Sequence, residues 1–161
     1  MSGPRTITPN LWFDFNAEEA VDYYLSIFPN SKILRIAHYL KDSPGPEGAV
    51  MVIEFQLNGQ NFVAINGGPQ FKFNESVSFE VDCKDQAEID HYWNALLQGG
   101  GEPSVCGWLK DRFGLSWQVN WGPLTDMLMD EDKEKAGRAM HAMLKMSKLD
   151  VAELQKAYGG K

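Results

Sequence analysis

Apolar residues along this chain follow two periods, a strand period of two and a helical period near 3.6, which alternate in a fixed order. Ile7 to Phe15 is rich in apolar and aromatic residues and predicts a first strand. Asn16 comes next with Glu19 three positions later, a capping-box spacing, and Phe15 is placed to staple against Ala20. Ala17, Ala20, Val21, Tyr24, Leu25 and Phe28 then form one helical stripe, which Pro29 ends. Three strand-like runs follow: Ile33 to Leu40, Ala49 to Leu57, and Asn61 to Asn66. Ser43-Pro-Gly-Pro46 separates the first two, and Asn58-Gly59 reads as a hairpin turn between the last two.

The order then restarts. From Ser76 to Asp82, Val77, Phe79 and Val81 alternate with Ser76, Ser78 and Glu80. Asp85, with Glu88 three residues on, caps a helix that buries Ile89, Tyr92, Trp93 and Leu96 and stops at Gly99-Gly-Gly101. Asp85 stands 85 − 16 = 69 positions after Asn16, and in that register Tyr23 and Tyr24 fall on Tyr92 and Trp93. Asp111 and Gly114 frame a tight turn before a strand from Leu115 to Trp121. Alternation puts Ser116, Gln118 and Asn120 on one face of it, and Leu115, Trp117, Val119 and Trp121 on the other. One apolar face and one face of neutral hydrogen-bonding groups suits the wall of a ligand pocket, or equally a surface strand that meets water. Pro123 to Lys161 turns helical, with Ala136, Ala139, Met140, Met143 and Leu144 on one face. A last helix starts at Asp150, where Glu153 completes a capping box and Leu149 can staple Leu154. A methionine-rich helical face is core or subunit interface, and this one points to packing across a dimer.

Composition narrows the partners. A formal charge of −7 and a pI near 4.9 turn the expectation away from nucleic acid and anionic membranes. No apolar run approaches the roughly 20 residues that span a bilayer, and Met1 to Asn10 holds no signal-peptide core. Cys83 and Cys106 make no CxxC spacing, which fits a reducing cytoplasm. His38, His91 and His141 are scattered without metal-ligand spacing, and His38, on a strand that groups it with Leu34 and Ile36, is expected to be a buried, hydrogen-bonded histidine. Glu54 and Glu80 are the carboxylates placed for acid–base work, and Trp12, Phe62 and Trp108 are the aromatic candidates for a pocket wall.

Several of these segments together resemble the vicinal-oxygen-chelate superfamily of glyoxalase, bleomycin-resistance and extradiol-dioxygenase proteins. They are most similar to its PhnB-like branch, often labelled 3-demethylubiquinone-9 3-methyltransferase. The residues that carry the likeness are Asn16 to Tyr24 with Ile27-Phe-Pro29, Gly48 to Gln56, Asn66 to Phe73, and Gly107 to Trp117, and it extends over residues 5 to 158. The resemblance implies an α+β fold of two βαβββ modules that form a curved mixed sheet around a cleft, with helices at the C-terminus, and commonly a homodimer. The modules are expected at residues 5–70 and 74–121, the second shorter, with a helical tail at 122–161, all in one compact domain.

Metal-dependent members of that superfamily draw four ligands from His, Glu or Gln. The corresponding positions here are Pro9 or Asn10, Asn66, Ser76 and Gln118, of which only Gln118 has a side chain of that kind. No metal site and no cofactor are therefore expected, and a divalent metal is disfavoured. The expected ligand-binding residues are Trp12, Phe62, Asn66, Ser76, Ser78, Trp108, Ser116 and Gln118, with Glu54 and Glu80 as catalytic candidates. The leading function is binding of a small metabolite. The alternatives are a lyase, isomerase or hydrolase that uses Glu54 or Glu80 with Gln118 as an orienting group, and a dimeric scaffold whose cleft is filled by side chains. Methyl transfer is not expected, because the first strand runs into Asn16 and a helix without a glycine-rich loop.

Overall fold

The computed structural model describes residues 7–160. The strand–helix–strands order predicted from periodicity occurs twice, and the chain divides between residues 72 and 73 into two compact units.

In the first unit β1 (Asn10–Phe13) leads to α1 (Ala17–Ile27), then β2 (Lys32–His38), β3 (Val50–Leu57) and β4 (Gln60–Asn66). The four strands make one mixed sheet in the order β1-β4-β3-β2, with β1 parallel to β4 and the other pairs antiparallel. Alternation sends Ile53, Phe55, Leu57, Phe62 and Ala64 into the core, where they meet the buried stripe Ala17, Ala20, Val21, Tyr24 and Ile27 of α1. Asn58 and Gly59 both take positive φ, 47° and 82°, the backbone of a two-residue hairpin turn. β1 is shorter than the run Ile7 to Phe15. Phe15 takes φ 55°, breaks the extended chain, and lies half-exposed with its ring tilted against Tyr39 instead of stapling Ala20. β2 is an edge strand whose seven residues are all exposed, so His38 is not the buried histidine expected from its neighbours.

The second unit repeats the topology with β5 (Ser78–Cys83), α2 (Gln86–Leu97), β6 (Glu102–Pro103), β7 (Trp108–Lys110) and β8 (Ser116–Trp121), in the order β5-β8-β7-β6. Cys83, Ile89, Trp93, Leu96, Leu109, Trp117 and Val119 form its core. Asp85 caps α2 as predicted, accepting from the Glu88 N–H at 3.0 Å, while the Glu88 carboxylate reaches back to the Lys84 N–H at 3.0 Å. The tail folds as α3 (Gly122–Leu128), α4 (Lys133–Met143) and α5 (Val151–Gly159). Asp150 caps α5, and both Leu149 and Leu154 are buried, as the staple requires. On α4 the small residues Ala136 and Ala139 turn inward, whereas Met140 and the following Leu144 are exposed. Among the described residues, two four-stranded mixed sheets and five helices make an α+β protein built of two βαβββ modules, the glyoxalase-like arrangement that the resemblance implies.

Candidate functional site

The hairpin β7–β8 carries the densest polar chemistry, and one buried carboxylate shapes it. Asp111 Oδ1 accepts from the N–H groups of Phe113 at 2.8 Å and Leu115 at 3.1 Å, and Oδ2 accepts from the Trp117 indole at 2.9 Å. Gly114, at φ 86°, closes the turn with its N–H on the Asp111 carbonyl. This turn fixes the register in which Lys110 pairs with Ser116 and Trp108 with Gln118. Ser116 and Gln118 in turn sit beside Ser78 and Glu80 of β5. Because β8 buries Trp117 and Val119 on the α2 side, these six residues share the opposite face.

Within that face a cavity of about 140 Å3 is lined by Glu75, Glu102, Ser104, Trp108, Lys110 and Ser116, among others. Ser116 is 1% exposed, and its Oγ has no hydrogen-bond partner among the protein groups. A buried hydroxyl without a partner is costly, so its position in a cavity wall marks the spot where a ligand atom or water completes it. Its neighbour across the β5–β8 register is satisfied: Gln118 Nε2 donates to Ser78 Oγ at 2.8 Å. Lys110 forms an ion pair with Glu75. That hydrogen bond holds the Glu75 carboxyl below the usual range and raises the Lys110 ammonium above its own, so both stay charged at neutral pH. The sequence reading found Trp108, Ser116, Gln118 and Ser78 but missed Lys110, Ser104, Glu75 and Glu102. Lys110 could have been found by carrying the alternation of Trp108 two residues forward along β7, up to the Asp111 turn. Glu75 and Glu102 have no local signal, since only the folded sheet brings them beside Lys110.

Other expected residues are placed differently. Phe62 is a core residue, stacked on Phe55 with ring centroids 5.5 Å apart, because strand parity turns it toward α1. Asn66 has the same parity and is 2% exposed. Its Oδ1 accepts from the Ala17 N–H at 2.9 Å, and its Nδ2 donates to Glu18 at 2.7 Å and the Val50 carbonyl at 3.0 Å. It therefore caps α1 from the far end of the sheet, a task the sequence assigned to Asn16, whose own side chain makes no cap bond. Ser76 precedes β5, in a turn where its N–H and Oγ both donate to Asn74 Oδ1. Trp12 does stand on the sheet face opposite α1. Its indole donates to the Gly68 carbonyl at 2.8 Å and its ring meets Phe71 edge-on, and Gly67 is required there because a Cβ would lie 2.1 Å from the ring. Glu54 shares the face of Trp12 but is engaged by both nitrogens of the Arg35 fork, at 2.9 and 2.7 Å. Glu80 is exposed on β5.

The metal that the superfamily resemblance implies does not fit these residues. Pro9 has no donor side chain, Asn10 donates to the Thr8 carbonyl, Asn66 is consumed as a cap, Ser76 is held in its turn, and Gln118 points its amide at Ser78. Neutral amides and a hydroxyl so engaged are poor ligands for a divalent transition metal. Among the described residues no three His, Cys, Asp or Glu side chains converge on a common point. Cys83 is buried, and burial, reinforced by Glu88, Asp82 and Asp85, pushes its thiol up to about 12. It is a core residue and not a nucleophile.

Comparison with known proteins gives the lineage. Solved structures that share the fold include three from bacteria. A PhnB protein from Bacillus cereus is 35% identical, covering 73% of this chain and 100% of that one, with a TM-score of 0.66. Protein PA1353 from Pseudomonas aeruginosa is 23% identical over 73% of this chain and 98% of its own, with a TM-score of 0.59. The fosfomycin resistance protein FosX from Mesorhizobium loti is 12% identical over 78% and 97%, with a TM-score of 0.56, a likeness of fold alone. No curated protein matches the chain. The family model described as 3-demethylubiquinone-9 3-methyltransferase matches residues 5–120 and stops before the helical tail, which the sequence resemblance had included. By that match, and by its likeness to the Bacillus cereus protein, this chain belongs to the PhnB-like 3-demethylubiquinone-9 3-methyltransferase family.

Proposed function

We propose that this chain binds a small oxygen-rich or aromatic metabolite on the polar face of its second unit. Trp108 supplies an aromatic wall there, and Ser116, Lys110 and the Gln118–Ser78 pair supply the polar contacts. The single observation that carries this reading is the buried Ser116 hydroxyl, unpartnered in the protein and set in the wall of a cavity. Binding is favoured over acid–base catalysis because Glu54 is committed to Arg35. The enzymatic alternative, a lyase, isomerase or hydrolase, rests on Glu80, opposite Gln118 in the β5–β8 pair. Methyl transfer gains no support from the residues, since β1 passes to α1 through Asp14, Phe15 and Asn16 without a glycine-rich loop. The exposed Met129, Met140 and Leu144 of the tail support a homodimer, for which a monomer in light scattering at micromolar concentration is the refuting result. No helix among the described residues is long and apolar enough to cross a membrane, and a cytoplasmic location is part of the same proposal. The test is a thermal-shift screen of hydroxy acids, sugars and phenols, with hits titrated calorimetrically into wild type and Ser116→Val. The proposal expects saturable binding that the variant loses. Binding unchanged by the substitution would overturn it.

A further inference from the structure

The tail beyond the family match is tied to the candidate site through backbone. Between α4 and α5, residues 146–151 pass along the loop that joins β6 to β7. The Cys106 N–H donates to the Met146 carbonyl at 2.8 Å, and the Gly107 N–H donates to the Ser147 carbonyl at 2.7 Å. Ser147 Oγ donates to the Ser104 carbonyl at 2.5 Å. On its other side the same segment is clamped to α2. Gln86 Nε2 donates to the Leu149 carbonyl at 3.1 Å, Gln86 Oε1 accepts from the Val151 N–H at 2.8 Å, and Lys148 pairs with Asp90 at 2.5 Å. Leu149 is buried, and Gly107, at φ 82°, lies under it. A Cβ on Gly107 would come 3.3 Å from the Leu149 side chain and 2.8 Å from the Val119 carbonyl.

The two units explain why such a segment is needed. The first sheet ends in β2, an edge strand of seven residues, while the strand in the same place in the second sheet, β6, has only Glu102 and Pro103. Pro103 has no N–H to offer a ladder, and residues 104–107 leave the sheet. Their N–H groups turn to the tail and to the loop itself: Ser104 donates to the Trp108 carbonyl at 2.8 Å and Trp108 to the Val105 carbonyl at 3.0 Å. The loop is thus a closed turn that carries Ser104 and Trp108 together, and both line the cavity.

We infer that residues 146–151 are a strap that replaces the missing length of the edge strand and sets where Ser104 and Trp108 stand in the cavity wall. Ser147 and Gln86 are its positioning residues. Neither lines the cavity: Ser147 acts through the Ser104 carbonyl of the loop, and Gln86 holds the strap itself at Leu149 and Val151. The inference rests on the reading of this cavity as the binding site, and it places the specificity of that site partly under a segment outside the matched family region.

The test uses the full 15N-labelled chain without ligand. The variants are Ser147→Ala and Gln86→Ala, with Ser147→Thr as the conservative control. Each Ala variant removes hydrogen bonds worth about a fivefold change in local opening apiece, so exchange of the Cys106 and Gly107 amides is expected to quicken by about fivefold or more. The Trp108 indole resonance is expected to move, while the Trp117 indole, bonded to Asp111, stays in place, and Ser147→Thr restores the wild-type spectrum. Unchanged exchange at both amides in both Ala variants would overturn the strap. So would faster exchange with a stationary Trp108 indole. Because no ligand enters these readouts, failure of the ligand reading and failure of the strap are separate results.

Discussion

Ser78 and Ser116 stand side by side on β5 and β8, yet removal of the Ser78 hydroxyl is predicted to lower stability and removal of the Ser116 hydroxyl is not. Ser78 Oγ accepts from Gln118 at 2.8 Å, so Ser78→Ala deletes one hydrogen bond and leaves an amide donor on a half-buried side chain. The expected loss is about 1 kcal/mol. Ser116 Oγ is buried with no protein partner, so in the unliganded protein it carries a desolvation cost of roughly 1–3 kcal/mol, less whatever a water in the adjoining cavity returns. Ser116→Ala removes that cost and keeps the Cβ, so it is expected to be neutral or stabilising by up to about 1 kcal/mol. Urea unfolding followed by tryptophan fluorescence is the assay, since Trp93, Trp108, Trp117 and Trp121 all lie in the second unit. An unchanged m-value is required for the midpoints to be compared as stabilities. If Ser116→Ala lowers stability as much as Ser78→Ala does, the hydroxyl already has a partner within the protein, and the main support for a ligand at this point is gone.

Three further outcomes follow from the same geometry. Asp111→Ala strands the N–H groups of Phe113 and Leu115 and the Trp117 indole, and is expected to cost about 3–5 kcal/mol in the same urea assay. A cost under about 1 kcal/mol would mean that the β7–β8 turn does not depend on that carboxylate. Asn66→Ala removes the outside cap on Ala17 and is expected to cost about 2–3 kcal/mol, read by circular dichroism, whereas Asn16→Ala, at a position without a cap bond, costs under about 1 kcal/mol. The reverse order would restore the local capping box. Burial raises Cys83 to about 12 from a free value of 9.0, so its contribution is fully present below about pH 9 and is lost as pH rises toward 12. Cys83→Ala is therefore expected to flatten the alkaline limb of the stability curve, and an identical limb in variant and wild type would contradict the burial argument.

Element existence was legible because helices and strands here bury one face each, and burial imposes the periods that a sequence shows. Asp85 with Glu88, Asp150 with Glu153, and Asn58-Gly59 are local devices, each complete within five residues, and each stands where the pattern put it. Strand starts were less legible. β5 begins at Ser78 because Asn74 draws Ser76 into a turn, and β1 ends early because Phe15 takes a positive φ. The site was half legible. Ser116 and Gln118 declare their face by alternation along one strand, but Asn66 and Phe62 share a strand whose parity is set by the helix packed on it. Asn66 looks like a pocket residue until its amide is found spent on α1, 49 residues away in sequence. The strap was hidden for the same reason: Met146 and Ser147 act through main-chain carbonyls, which every residue has and no side-chain pattern marks.

The most direct test of the central claim is a 15N–1H spectrum of the wild-type chain, titrated with the tightest-binding compound from a screen of small hydroxylated and aromatic metabolites. Binding at the proposed site predicts saturable shifts centred on the Ser116 amide, the Trp108 indole and the Lys110 amide, all abolished by Ser116→Val. Shifts that settle elsewhere, or that persist undiminished in the variant, would contradict it.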